Sequence, residues 1–260
     1  MLCSAVATFN YAQSRDARQQ KKEQKKDRIN QLIKQEEEGA IIYQKQSVFG
    51  IKLNTDGYAA FYELGRLKTP VKTNLYSIEI GERKQAKEEK LTRGNNWGFA
   101  VGNPYIYGKI NNFYFVKLGF GQQHLIGGKG NKNGVAVSAL YGGGVSAGLL
   151  KPYYISYSDP QTNTHTDIKY NKNDSVFLAA NYILGSSGLG KGFKEIKFTP
   201  GVFAKTGLRF DYGRYNETVT AIEVGLNVEL YSNKMPIMLL NKEKQLFFNA
   251  YAAIDFGRRK

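Results

Sequence analysis

The amino-acid sequence predicts an all-β fold: a transmembrane, antiparallel up-and-down β-barrel of about eight strands, preceded by a charged N-terminal helical arm. From Tyr43 onward, apolar and polar residues alternate with a period of two in many segments. The second face of these segments repeatedly carries charges, which a soluble sandwich explains less readily than a barrel with a polar interior. The sequence has no run of about 18 apolar residues, which argues against a helical membrane span.

The first 42 residues differ from the rest of the chain. Residues 1–12 resemble the end of a secretory signal peptide, although an ordinary N-terminal arm is the alternative. Residues 13–42 are rich in Lys, Arg, Gln and Glu, and Ile29, Leu32 and Ile33 form a narrow apolar stripe at helical spacing. We predict a charged periplasmic arm. It either contacts a partner or anionic lipid, or is a solvated leader before the first strand.

Residues 43–260 are predicted to form the barrel, and they divide into eight alternating segments. These are residues 45–54, 57–67, 73–83, 112–121, 134–157, 200–212, 217–231 and 244–257. Asp56-Gly57 favours a tight hairpin turn between the first two segments. Gly142–Gly144 suggest a bulge or a sharp bend inside the fifth segment. Two strands there are the alternative, so the count could reach ten.

The connections between these segments alternate in length. Those after the second, fourth and sixth segments are modest (68–72, 122–133 and 213–216), whereas those after the third and fifth are long (84–111 and 158–199). Outer-membrane barrels have short periplasmic turns and long outer loops. We therefore expect the two long connections to lie outside the cell.

The two faces of the segments predict a lumen and a lipid-facing surface. The inward face carries charges of both signs, which in a narrow barrel survive only when paired. The predicted lumen charge network consists of Lys52, Glu63, Glu79, Lys117, Lys205, Arg209, Asp211, Glu223, Glu229 and Asp255. The outward face is aliphatic in mid-strand, and tyrosines could form aromatic girdles at both interfaces. These tyrosines are Tyr58, Tyr62, Tyr76, Tyr114 and Tyr212.

The composition limits the choice of partners. The formal charge of +15 would be compatible with nucleic-acid binding, but no recognised DNA- or RNA-binding signature occurs. Outer-membrane lipid, lipopolysaccharide or another envelope protein is a suitable counterpart, and we expect no nucleic acid. The single cysteine, Cys3, excludes a disulfide and a cysteine-based metal site within the chain.

Motifs that could carry chemistry are weak. The two histidines, His124 and His165, are predicted on opposite sides of the membrane, so they cannot form one site. Residues 163–167 offer a histidine, hydroxyls and a carboxylate, which loop composition often produces by chance. The glycine-rich segments 127–130 and 185–192 lack the spacing of a phosphate-binding loop, and we interpret them as turns. We predict no catalytic residue, cofactor or metal ligand.

Apolar stretches interrupt two of the loops, at residues 176–184 and 235–240. Exposed apolar patches can mark partner sites, but loops also pack on one another. Both interpretations are open from the sequence.

Three segments resemble an uncharacterised group of Bacteroidota outer-membrane proteins. They are Tyr141-Gly-Gly-Gly-Val-Ser-Ala-Gly-Leu-Leu-Lys-Pro-Tyr-Tyr154, Thr199-Pro-Gly-Val-Phe-Ala-Lys-Thr-Gly-Leu-Arg-Phe-Asp-Tyr212 and Asn249-Ala-Tyr-Ala-Ala-Ile-Asp-Phe-Gly-Arg-Arg-Lys260. The resemblance implies a barrel in the outer membrane of a Gram-negative bacterium, with Phe256 as the terminal aromatic of the insertion signal. The basic tail beyond Phe256 departs from the commoner pattern, in which the aromatic ends the chain.

The functional hypothesis is a non-enzymatic envelope component or a subunit of a larger outer-membrane assembly. The charged arm and the apolar loop segments motivate the second role. The alternatives are passage of a small solute or ion, a lipid-modifying enzyme of the outer leaflet that uses His165, and a soluble sandwich or lipocalin-like binder.

Overall fold

The computed structural model describes residues 43–94, 100–130, 134–162, 164–171, 177–188, 190–213, 217–239 and 241–260. The predicted signal-peptide remnant (1–12) and the predicted helical arm (13–42) lie outside these described residues. Among the described residues, no helix is long and apolar enough to cross a membrane.

The described chain is built almost entirely from β-strands. The strands are β1 (Lys45–Asn54), β2 (Gly57–Thr69), β3 (Lys72–Arg83), β4 (Lys90–Gly94), β5 (Ala100–Ile106), β6 (Asn111–Gly127), β7 (Ala136–Pro152), β8 (Tyr154–Ser158), β9 (His165–Lys169), β10 (Ile183–Ser186), β11 (Lys197–Asp211), β12 (Thr218–Met235) and β13 (Lys244–Arg259). Two 3-10 turns, Ala180–Tyr182 and Phe193–Glu195, flank β10.

Eight of these strands close into an antiparallel barrel. The order around the barrel is β1-β13-β12-β11-β7-β6-β3-β2, and β2 pairs with β1 to complete the ring. Each barrel strand therefore pairs with the barrel strands that precede and follow it along the chain, and β13 pairs with β1. The predicted up-and-down barrel is confirmed.

The connections between the barrel strands lie at the two ends of the barrel. One end, here called the loop end, carries the two-residue turn after β1 and the connections 84–110, 153–196 and 236–243. The other end, here called the terminal end, carries the connections 70–71, 128–135 and 212–217. Lys260 also lies there, where its carbonyl oxygen accepts hydrogen bonds from the backbone nitrogens of Gln44 and Lys45, both at 2.8 Å.

Strand β12 shows how alternation assigns side chains to the two sides of the wall. Glu223 and Glu229 are completely buried in the interior, whereas Ile222, Val224 and Leu226 point outward with about 40% of each side chain exposed. A one-residue slip in register would exchange these two sets. The period of two therefore fixes an outer apolar surface and an inner charged one along the same strand.

The prediction of a bulge at Gly142–Gly144 is wrong. Strand β7 pairs without a register shift across these glycines, with β6 on one side and β11 on the other. The glycines instead allow close approach, since Gly142 and Gly144 lie directly opposite Gly121 and Gly119 of β6. These four glycines are here called the glycine strip. A methyl group on Gly119 would lie 3.0 Å from the Phe203 ring, so the lack of side chains along the strip leaves room for side chains in the lumen.

The long connections contain structure that alternation did not predict. The fifth predicted segment, 134–157, is one barrel strand, β7, followed by the separate strand β8 outside the barrel. Strand β8 pairs with β9 and β10 in a three-stranded sheet, and β4 pairs with β5 in a hairpin. The described residues of the connections 84–110 and 153–196 are here called the cap. Tyr105 of β5, Ile155 of β8, Phe177 and Ile183 of β10 form a buried cluster within it.

The glycine strip makes a testable prediction. A Cβ atom on Gly144 would overlap the backbone carbonyl of Leu118, whereas one on Gly127 in the neighbouring strand would meet nothing within 4 Å. Gly144→Ala should therefore destabilise the barrel by about 1–3 kcal/mol, the usual cost of overpacking. The urea midpoint of the purified protein measures this. A Gly144→Ala barrel as stable as Gly127→Ala would contradict the close approach.

Candidate functional site

Charged side chains occupy much of the interior of the barrel. Nine of the ten predicted lumen charges are buried, and the side chain of the tenth, Lys205, is 9% exposed. Their strands surround the lumen, so residues far apart in sequence meet there. They divide into three groups along the barrel.

The first group, here called the arginine cluster, surrounds Arg209 of β11. Its guanidinium lies 2.8 Å from Glu63, 2.7 Å from Glu223 and 2.8 Å from Asp255. Lys205 lies 3.8 Å from the second oxygen of Glu63, which is a weaker contact. Three carboxylates therefore converge on one arginine, with a lysine nearby.

The second group, here called the lysine cluster, lies closer to the loop end. Glu79 accepts from Lys52 at 2.6 Å and from Lys117 at 3.0 Å. Lys117 also lies 2.6 Å from Glu229, which pairs with Arg83 at the same distance. Lys117 thus bridges two carboxylates that lie on opposite sides of the barrel.

The two clusters together are electrically balanced. They contain five basic side chains and five acidic ones, all on the inner wall. An isolated charge in a low-dielectric interior is very costly, and pairing offsets that cost. The close-packed pairs also fill the cross-section of the barrel, as expected for eight strands.

Asp211 was predicted in the same network, but it lies apart from both clusters. It forms an ion pair with Arg259 at the terminal end, and Lys129 lies 3.5 Å away. Burial lowers the pKa of Lys129, and the neighbouring Asp211 opposes that shift. A cavity of about 20 Å³ remains there, beside Tyr43 and Arg259, which is room for about one water molecule.

An apolar plug closes the loop end of the lumen. The rings of Phe113, Tyr231 and Phe247 pack against one another at centroid distances of 5.4–5.9 Å. Met235, the last residue of β12, and Ile237, from the connection that follows, are buried on top of them. The predicted apolar stretch 235–240 therefore supplies packing over the barrel mouth.

The cap and the barrel wall enclose a cavity of about 380 Å³, here called the lateral pocket. Its wall includes residues on the outer face of the barrel, among them Tyr58, Glu82 and Lys151, and residues of the cap, among them Tyr153 and Lys191. Burial raises the pKa of the Tyr153 phenol, so this hydroxyl stays protonated at neutral pH. It accepts a hydrogen bond from the backbone nitrogen of Ile106 at 3.1 Å.

The two histidines lie in different parts of the structure. His124 belongs to β6 near the terminal end and not to a turn as predicted, whereas His165 begins β9 in the cap. In the cap, Asp167 accepts hydrogen bonds from Ser156 and Ser187, both at 2.7 Å, and pairs with Lys191. No hydrogen bond joins His165 to that carboxylate in the described part of the chain. Among the described residues, no group of three or more His, Cys, Asp or Glu side chains is arranged so that it could hold a metal ion.

Several network residues were missed by the sequence analysis. Arg83 and Arg259 complete the ion pairs at the two ends of the barrel. Each occupies an inward-facing position of its strand, beyond the last charged residue that was predicted to face the lumen on that strand. Tyr251 donates to Glu223 at 2.7 Å, and Tyr231 donates to Glu229 at 2.8 Å. Following the alternation to the strand ends would have found both arginines.

Comparison with known proteins gives structural similarity without sequence similarity. No protein-family model and no curated protein matches the sequence. Neisserial surface protein A aligns with 83% of this chain and 94% of its own, at 6% identity and a TM-score of 0.37. The N-terminal β-barrel domain of OprF from Pseudomonas aeruginosa aligns with 83% and 98%, at 9% identity and 0.36. Ail, the attachment invasion locus protein of Yersinia pestis, aligns with 84% and 100%, at 9% identity and 0.37. The fold assignment stands on the strand pairing of this chain alone.

The arginine cluster makes the second prediction. Arg209→Ala would leave three buried carboxylates without their shared cation, so it should cost about 3–5 kcal/mol of unfolding free energy. Denaturant unfolding measures this loss, and the yield of folded barrel reports it if the variant folds poorly. Arg258→Ala removes an exposed arginine and is the matched control. Equal, small effects from both variants would show that the cluster does not require Arg209.

Proposed function

We propose that this protein is a non-enzymatic β-barrel of a Gram-negative outer membrane, and that it serves as an envelope component or as a subunit of a larger outer-membrane assembly. One observation carries the proposal: a belt of exposed apolar side chains surrounds a barrel whose interior is charged. A soluble barrel would place these two kinds of residue the other way round.

The belt is continuous around the barrel. Every barrel strand contributes at least one large apolar side chain that is more than 40% exposed. One example from each strand is Ile51, Leu64, Ile80, Leu118, Val145, Val202, Leu226 and Ile254. Soluble monomers rarely expose contiguous apolar patches larger than a few hundred Å². Contact with lipid along the whole circumference accounts for the belt.

The height of the belt suits a bilayer. On β13, outward apolar side chains run from Leu246 to Phe256. Ten residues span about 33 Å along a strand, which becomes about 25 Å for the usual barrel tilt. That value equals the typical height of the apolar band of an outer-membrane barrel. Phe256, proposed as the terminal aromatic of the insertion signal, faces outward at the edge of this band.

The lengths of the connections support one orientation of the barrel in the membrane. Bacterial barrels place long loops outside the cell and short turns in the periplasm. The loop end with its cap would then face the exterior, and the terminal end would face the periplasm. Residue 43 lies at the terminal end, so the predicted arm would enter the periplasm.

The filled lumen favours a structural role over passage of solutes. The arginine cluster, the lysine cluster and the apolar plug each occupy the cross-section, so a solute would have to displace paired charges.

The belt makes the third prediction. Leu226→Arg places a charge at the middle of the belt, which costs about 2–4 kcal/mol in a bilayer, whereas Ser232→Arg lies six residues nearer the loop end and should cost about 0–1 kcal/mol. Unfolding from phospholipid vesicles measures both. In water, both arginines would be solvated. Equal unfolding free energies of the two variants would therefore contradict the proposed membrane location.

The subunit role makes the fourth prediction. Crosslinking in intact cells, followed by purification of the native protein, should recover other envelope proteins together with the barrel. Deleting residues 14–39 should reduce that recovery if the arm contributes, while the folded yield of the barrel stays the same. A barrel recovered alone from both the full and the deleted chain would leave only the envelope-component role.

A further inference from the structure

The lateral pocket lies beside the barrel and not inside it. Asn112 and Lys151 form a cross-strand pair on β6 and β7, and the inward neighbours Phe113 and Leu150 fix their orientation as outward. Both are nevertheless at most 9% exposed, because the cap covers this part of the wall. Tyr58 and Glu82 continue the same outer wall on β2 and β3. The pocket is therefore bounded by the outer wall of the barrel and by the cap.

The apolar belt begins directly below the pocket. Ile80 lies two residues from Glu82 on the same face of β3 and is 57% exposed. Leu149 lies two residues from Lys151 on the same face of β7. Two residues correspond to about 7 Å along a strand. A molecule with its polar group in the pocket could therefore rest its apolar part on the belt.

The pocket is strongly basic. Its wall carries two glutamates, Glu82 and Glu88, and five lysines. The lysines are Lys84, Lys90, Lys109, Lys151 and Lys191. Lys191 pairs with Asp167, so these five lysines face three carboxylates in all, and the surplus of two leaves a net positive potential in a concave, partly desolvated space, which concentrates anions. Lysine ammonium groups are common phosphate ligands.

Several of these lysines are held in place. Lys109 is 2% exposed and pairs with Glu88 at 2.7 Å. Lys151, also 2% exposed, lies over the Phe193 ring at 4.1 Å from its centroid. Lys84 lies over the Tyr58 ring at 5.1 Å. Aromatic contacts of this kind orient the ammonium groups before an anion binds.

Hydroxyl groups supply further hydrogen-bonding capacity. Tyr154 and Ser186 line the pocket together with Tyr153. A volume of about 380 Å³ lies in the usual range for ligand sites. Such a wall can bind a phosphate and the polar group that bears it.

From this geometry we infer that the lateral pocket binds the phosphate-bearing headgroup of an anionic lipid in the leaflet at the loop end, with the acyl chains of that lipid lying on the belt. The inference rests on the proposed membrane location. Its structural basis is the juxtaposition of a basic pocket and a lipid-facing surface on one outer wall. The segment 185–192, interpreted above as a turn because it lacks the spacing of a phosphate-binding loop, contributes Lys191 to the pocket.

The experiment uses the full chain, reconstituted in phosphatidylcholine nanodiscs that contain a small fraction of diphosphorylated lipid A or of the same lipid without phosphates. Native mass spectrometry counts the lipid that stays bound after gentle removal of the bulk bilayer. The expected result is retention of the phosphorylated lipid and loss of the dephosphorylated one.

The variant Lys84→Gln/Lys90→Gln removes two exposed pocket lysines and should weaken retention about tenfold or more, since each charged hydrogen bond contributes on this scale. Its matched control is Lys68→Gln/Lys72→Gln, which removes two exposed lysines at the terminal end and should leave retention unchanged. Lys151→Met keeps the aliphatic stem of the buried lysine and tests its charge separately.

Each outcome separates the hypotheses. Equal retention of both lipids, or retention unaffected by the pocket variant, would overturn the inference while leaving the membrane barrel intact. Displacement of the lipid by millimolar inorganic phosphate would assign the pocket to a free anion and would overturn the lipid source. A protein that fails to enter nanodiscs of any composition would instead refute the proposed membrane function.

Discussion

The compensation of buried charge is the constraint on which the rest of the barrel depends. The arginine and lysine clusters place ten charged side chains inside a narrow ring of strands, and burying each of them is costly unless an opposite charge lies close to it. Such pairs add little stability compared with a well-packed apolar core, but the loss of one partner is costly. Arg209 illustrates the consequence, because strands β2, β11, β12 and β13 must all be in register for its three carboxylates to reach it. The charges thus specify a unique arrangement of the wall.

The same register determines the outer surface. Since side chains alternate across a strand, an inward Glu223 requires outward Ile222 and Val224. The charged interior and the apolar belt therefore both follow from the alternation of side chains along each strand. The medium around the barrel must be one in which the apolar outer side chains are stable. The cap extends this organisation beyond the belt, where lysines and tyrosines replace aliphatic residues on the outer wall.

Alternation made most of the barrel predictable from sequence. It located the eight barrel strands and the inward charges, because one long repeating pattern sets both. It could not show which charges pair, since Glu63 and Arg209 meet only through the closure of the ring. It failed at Gly142–Gly144, where glycines that usually signal a bulge instead permit close strand packing. It also missed the cap strands β8, β9 and β10, which are four or five residues long and too short for a clear period.

The ion pairs across the lumen also bear on how the chain reaches this state. Glu63 and Arg209 are 146 residues apart, as are Arg83 and Glu229, so each pair joins an early hairpin to a late one. Closing such long loops is slow and entropically unfavourable until many contacts form together. A half-made sheet would expose lone carboxylates and ammonium groups to its surroundings. Pairing of the first strand with the last closes the ring that brings these partners together, so a chain lacking either strand could not form the closed wall that holds them.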